Sequence, residues 1–233
     1  MKRKVHESRY SARLYAKPCF VPCFLHEEGS THVRRRWILV QAGDAFENPV
    51  SGQRLIFRKT AEDTGGELLE VESIYTKPSP SRPPLHYHPR QEERFEILSG
   101  EVHTLIGREE RIWREGDVFV VPTRVPHGMW AEVAGTRVNW QTRPALKTEA
   151  FFETVWGLAK DGKVDVEGVP NLLRAALIAR EYEEEYCLAN PPRVVQRVLF
   201  AALTPVGRVL GYPARYPYPC GSSEKALRTE DQC

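Results

Sequence analysis

Two histidines separated by one residue, a glutamate five residues later and a third histidine behind two prolines constrain this chain more than any other part of its 233 residues. His86 and His88 stand in the run Leu85 His86 Tyr87 His88 Pro89. Alternate side chains of an extended segment leave the backbone on one side, so these two imidazoles project together. Glu93 opens a second run, Glu93, Phe95 and Ile97, whose alternation can turn its carboxylate to the same inner face. His127 follows the strand-like Val118–Val121 and the prolines Pro122 and Pro126, and could close the set from across a barrel. Three imidazoles and one carboxylate suit a divalent first-row metal: Fe, Mn, Co, Ni, Cu or Zn.

These residues resemble the two motifs of the cupin family. The first motif reads glycine, His-x-His, three or four residues, Glu, six residues and Gly; His86, His88, Glu93 and Gly100 keep it with the four-residue gap. Its leading glycine is absent, and the Pro/Ser-rich run from Pro78 to Pro84 stands there instead. The second motif reads Gly, five residues, Pro-x-Gly, two residues, His, three residues and Asn. Gly116, Pro122 and His127 keep that spacing, with Arg124 in place of the Gly and Ala131 in place of the Asn. Neither exchanged position is a metal ligand in the family, so the resemblance implies a metal held by His86, His88, Glu93 and His127. The exchange at Arg124 bears on the turn before His127. The resemblance covers residues 50–145 or so and implies a mainly β fold, a jelly-roll β-barrel, here carrying a C-terminal α-helical extension.

A His-x-His pair alone is more often two surface histidines; the companions in register make the pattern specific. Glu92 and Glu96 compete with Glu93, and both are expected to face solvent. His103, on the next strand, is expected to be an ordinary strand histidine. With the ligands directed inward, Phe95, Ile97 and Met129 are the expected lining of an apolar pocket.

Periodicity divides the chain into an arm over 1–41, a barrel over 42–145 and a helical part over 146–233. From about Phe46 short alternating runs are separated by turn signals, giving roughly eight to ten strands. Neither an internal repeat nor a second His-x-His occurs, so a single barrel is expected. After Pro144 the period becomes 3.6. Thr148 is the expected N-cap of a helix through Ala159, and Asn171 that of a second helix to about Leu188, with Glu183, Glu184 and Glu185 on its solvated side. A third helix is expected from Pro192 to about Leu210, with Val194, Val195, Val198, Leu199 and Ala202 in an apolar stripe and Pro205 kinking it. Arg193, Arg197 and Arg208 beside that stripe allow a peripheral membrane contact; packing on the barrel or on a second subunit explains it equally and is preferred. Tyr212, Tyr216 and Tyr218 each precede a proline, which favours an extended tail.

The formal charge of +2 hides an imbalance: residues 1–41 hold nine Lys/Arg against three acids. Without a helix-turn-helix beside it, this basic arm reads as a solvated or subunit-contacting extension, and no nucleic acid is expected. Five scattered cysteines and no visible signal peptide point to reduced thiols in a cytoplasmic setting. Cys19 and Cys23 with His26 and His32 fit no compact zinc spacing. No apolar run reaches the ~20 residues of a spanning helix.

Four protein ligands leave open positions on a five- or six-coordinate metal, which separates a catalytic site from a structural one. The resemblance implies metal-dependent chemistry on a small molecule, first a dioxygenase-type oxidoreductase acting on an apolar or aromatic substrate. A non-redox isomerase or cyclase and a binding module that turns nothing over are the alternatives, and a homodimer is the expected assembly.

Overall fold

A computed structural model of the chain describes residues 40–218. Residues 1–39 of the basic arm, including Cys19, Cys23, His26 and His32, lie outside the described residues.

Two antiparallel sheets face each other. The first has the spatial order β1 (Ala45–Asn48), β2 (Gln53–Lys59), β3 (Leu69–Tyr75), β10 (Thr136–Arg143), β5 (Glu92–Ser99), β8 (Val118–Val121). The second runs β11 (Cys187–Leu188), β4 (His86–Tyr87), β9 (His127–Trp130), β6 (Glu101–Ile106), β7 (Glu109–Arg114). Alternation sets the core. Phe57, Val71, Trp140, Phe95 and Phe119 occupy successive partner positions and form one row across the inner face of the first sheet. Two residues along each strand, Leu69, Thr142, Glu93 and Val121 form the next row, which brings the Glu93 carboxylate to the inside. Glu92 is exposed, and Glu96 is half-buried beside Arg94, 3.3 Å away.

The sheets do not close into one barrel. Helix α1 (Thr148–Lys160) covers the open side, with Phe152 and Trp156 packed on Leu55, Phe57, Leu69 and Val71, and the Phe152 ring 5.0 Å from that of Trp140. Its N-cap is Lys147 and not Thr148. The Thr148 hydroxyl is occupied elsewhere: it accepts from Nε2 of buried Gln91 at 2.7 Å.

Helix α2 (Leu172–Glu181) starts as the sequence implies, with the Asn171 side chain accepting from the Arg174 N–H at 3.0 Å. It ends well before Leu188. The chain turns at Tyr182, whose fully buried hydroxyl donates to the Ala150 carbonyl, and Cys187–Leu188 then joins the edge of β4. Glu183 and Glu184 are exposed, but Glu185 is buried and lies on no helix. An unpaired strand edge offered a better partner for these backbone groups than another helical turn.

Helix α3 (Arg193–Val209), with Pro205 inside it, packs on α2 at Gly207, while buried Gln196 donates to the Leu188 and Pro191 carbonyls. A Cβ on Gly207 would stand 2.8 Å from Leu177 Cδ1 and 3.3 Å from the Leu173 carbonyl, so any larger residue would make Leu177 shift to keep this approach. Of the two expected coverings for the apolar stripe, the barrel is not the one used: Val194, Val195, Val198 and Leu199 face outward. Beyond α3 the tail carries neither helix nor strand to Tyr218, whose ring stacks on Phe46 at 4.3 Å. Among the described residues no helix is long and apolar enough to cross a membrane.

Candidate metal centre

His86 and His127 are direct partners across β4 and β9, and their ring centroids lie 4.5 Å apart. His88, two residues beyond His86, emerges on the same side with its ring 5.1 Å from His86 and 5.2 Å from His127. One candidate donor atom from each ring falls within 4.8 Å of the others. Glu93 reaches this cluster from the opposite sheet. Its Oε2 is 3.1 Å from His88 Nε2 and 3.0 Å from His127 Nε2.

Each ring spends its other nitrogen on a backbone carbonyl: His86 Nδ1 on Pro84 at 3.2 Å, His88 Nδ1 on Glu185 at 2.5 Å, His127 Nδ1 on Val125 at 3.0 Å. A carbonyl only accepts, so every Nδ1 must carry the hydrogen and the neutral ring presents its Nε2 lone pair. This arrangement orients metal-bound imidazoles. Glu93 is held likewise, Oε1 accepting from Trp140 Nε1 at 2.9 Å, which leaves Oε2 for the cluster.

The electrostatics call for a cation. Burial pushes His86 down to about 3, reinforced by His127 and His88. Burial would lower His88 too, but the Glu93 carboxylate outweighs it and raises the ring above its ordinary value. Burial would raise Glu93, yet His88 and His127 hold it well below the usual carboxylate range. His88 Nε2, though 3.1 Å from Oε2, is off the hydrogen-bonding direction and is left as a buried nitrogen without a hydrogen bond. A carboxylate oxygen facing ring nitrogens needs protons or a metal between them, and the donor set fits a divalent transition metal.

The turn before His127 keeps its shape without glycine. Arg124 adopts φ 65°, the left-handed region, and its N–H donates to the His88 carbonyl at 2.9 Å, tying the two motifs together. Ala131, where the motif has Asn, is fully buried, and its carbonyl accepts from the Ser79 N–H.

A cavity of about 710 Å³ opens onto the cluster, lined by Leu85, Phe95, Met129, Trp140, Phe151 and Tyr186 among others. Ile97 lies in the core between the sheets, 1% exposed, and does not line it. His103 stacks on Trp130 away from the cluster. Three contributors were not legible beforehand: Trp140, the Glu185 carbonyl and Tyr186. The Tyr186 ring is stacked between His86 (4.6 Å) and Phe151 (5.2 Å), and its hydroxyl hydrogen-bonds to none of the described residues. Burial pushes that phenol well above its usual range, so it keeps its proton.

Two facing antiparallel sheets with three imidazoles gathered between them make a cupin-like fold with a candidate metal site. Residues 75–138 match the family model of the cupin domain, and three helices follow the matched segment in the chain. Similar solved structures include KdgF from Halomonas sp., 18% identical over 47% of this chain and 93% of that one, TM-score 0.38. An RmlC-like cupin from Shewanella frigidimarina is 20% identical over 48% and 94%, TM-score 0.40. The nucleoside dehydratase Pac13 of Streptomyces is 12% identical over 46% and 81%, TM-score 0.37. No curated protein matches the chain.

Proposed function

We propose that this protein binds one divalent first-row transition metal through His86, His88, His127 and Glu93 and acts as a dioxygenase-type oxidoreductase on a small apolar or aromatic molecule. The observation that carries the metal reading is the common tautomer of the three rings, whose Nδ1 atoms are all engaged by carbonyls. Bound there, the metal would supply open positions for a substrate oxygen and for dioxygen. The chain itself supplies orientation and dryness. Phe95, Met129, Trp140 and Phe151 exclude water around a cavity whose size suits one small ligand.

A second reading, a non-redox isomerase or cyclase, is favoured by the free Tyr186 hydroxyl, a neutral donor on the cavity wall. Purification without added metal, elemental analysis, and oxygen uptake with a panel of enols and phenols decide among these. Bound iron with uptake supports the first reading; zinc without uptake supports the second or a binding role. A chain that holds no metal and has no affinity for one ends both enzyme readings.

A further inference from the structure

Helix α3 presents its most apolar side to solvent. The positions turned into the molecule are buried Gln196, Thr204 and Gly207, with Phe200 and Leu203 half-buried beside them. Those turned outward include Val194, Val195, Val198, Leu199, Val206 and Val209, which are 41–87% exposed. At ~100° per residue they fall within one arc about half the circumference wide, free of charged and hydrogen-bonding side chains. Ala202 lies at the centre of that arc and near the middle of the helix, and it too is exposed. So wide an aliphatic arc left in solvent is not what a helix shows when its own chain is its only neighbour. A contiguous patch of this size is uncommon on a monomer.

The chemistry of the arc selects its occupant. A lipid surface is met by cations flanking the apolar face and by aromatic anchors. Here Arg193 donates to the Glu183 carbonyl and Arg197 to the Glu183 carboxylate, which among the described residues leaves Arg208 as the one exposed, unpaired cation beside the arc, and the arc contains no Trp, Tyr or Phe. An acidic partner would find that single flanking cation and none on the arc itself. An identical arc has no charge to repel it and matches by symmetry.

We propose that this arc is the two-fold interface of a homodimer, α3 packing antiparallel on α3 of a second copy with Ala202 at the crossing. The small Ala202 side chain lets the helix axes approach to ~8–10 Å. Antiparallel register then sets Val198 against Val206 and Val195 against Val209 across the axis. The exposed Val and Leu side chains offer several hundred Å² per copy, the order of the ~800 Å² that each partner covers in a stable interface.

The test is the mass of the full chain by sedimentation, with Ala202→Glu and Ala202→Lys as variants. Both substitutions sit at an exposed position and are well tolerated in helices, so the fold, checked by circular dichroism and metal content, is kept. The wild type should sediment at twice its 26.7 kDa. Each variant alone should be monomeric, because like charges meet at the axis, and mixing the two variants should restore a dimer. A monomeric wild type overturns the proposal, as does a dimer that both substitutions leave unchanged. So does a monomer that floats with phosphatidylserine vesicles, or one that dimerises only when residues 1–39 are removed, since lipid or the chain's own arm would then cover the arc.

Discussion

His88 carries three constraints at once: its Nδ1 is held by the Glu185 carbonyl, its Nε2 faces Glu93, and its own carbonyl accepts from Arg124. Replacing it by alanine should remove most of the bound metal while the chain stays folded, because the rows of Phe, Val and Trp make the core without the ion. Elemental analysis beside a thermal melt checks this; loss of folding would make the site structural. The same residue sets the pH response. His86, down to about 3, is neutral near pH 7 with its Nε2 unprotonated, whereas His88, raised above its ordinary value, keeps a second proton that a metal must displace. Affinity should therefore rise with pH through the neutral range, by about tenfold per pH unit until the raised His88 value is passed, and then level off. A dissociation constant unchanged from pH 6 to 8 contradicts this. Arg124 tests the backbone. Its φ of 65° strains any residue with a Cβ, so Arg124→Gly should raise stability by up to about 1 kcal/mol, less the flexibility glycine gives the unfolded chain, read from denaturant midpoints.

At the scale of elements, the helical part is built into the site. β11 extends the sheet that carries His86, and the segment before it supplies the Glu185 carbonyl to His88 and the Tyr186 ring to His86. The Glu185 side chain anchors this segment by accepting from the Lys147 N–H at 3.1 Å. Glu185→Ala touches no ligand, yet it should weaken metal binding by about 10–100-fold, measured by titration, as losses around a metal's ligands do. An unchanged affinity would show the carbonyl to be held by the strand alone. Periodicity revealed most elements, since a shift from two to 3.6 is written into the order of residues. It misplaced the end of α2, because the apolar positions as far as Leu188 read equally as helix and as the approach to a strand. It left the α3 stripe between the barrel and a second subunit, because a stripe records only that something apolar must cover it.

For the whole molecule, a metal that binds the folded chain alone shifts the unfolding equilibrium. At a hundred times the dissociation constant the gain is about 2.7 kcal/mol, a rise of several degrees in melting temperature for a chain of this length, and a chelator should reverse it. No shift with any of the first-row divalent ions would leave the ring tautomers unexplained. By itself the sequence determined the three imidazoles, the carboxylate and the faces they occupy, because strand alternation turns position along the chain into direction. Only the tertiary structure decided that the two sheets stay apart with α1 packed over β2 and β3, that Trp140 and the Glu185 carbonyl hold Glu93 and His88, and that α3 docks through glycine and glutamine. Those outcomes depend on backbone groups, which carry no residue identity, and on contacts between segments far apart in the chain, whose energies no local period records.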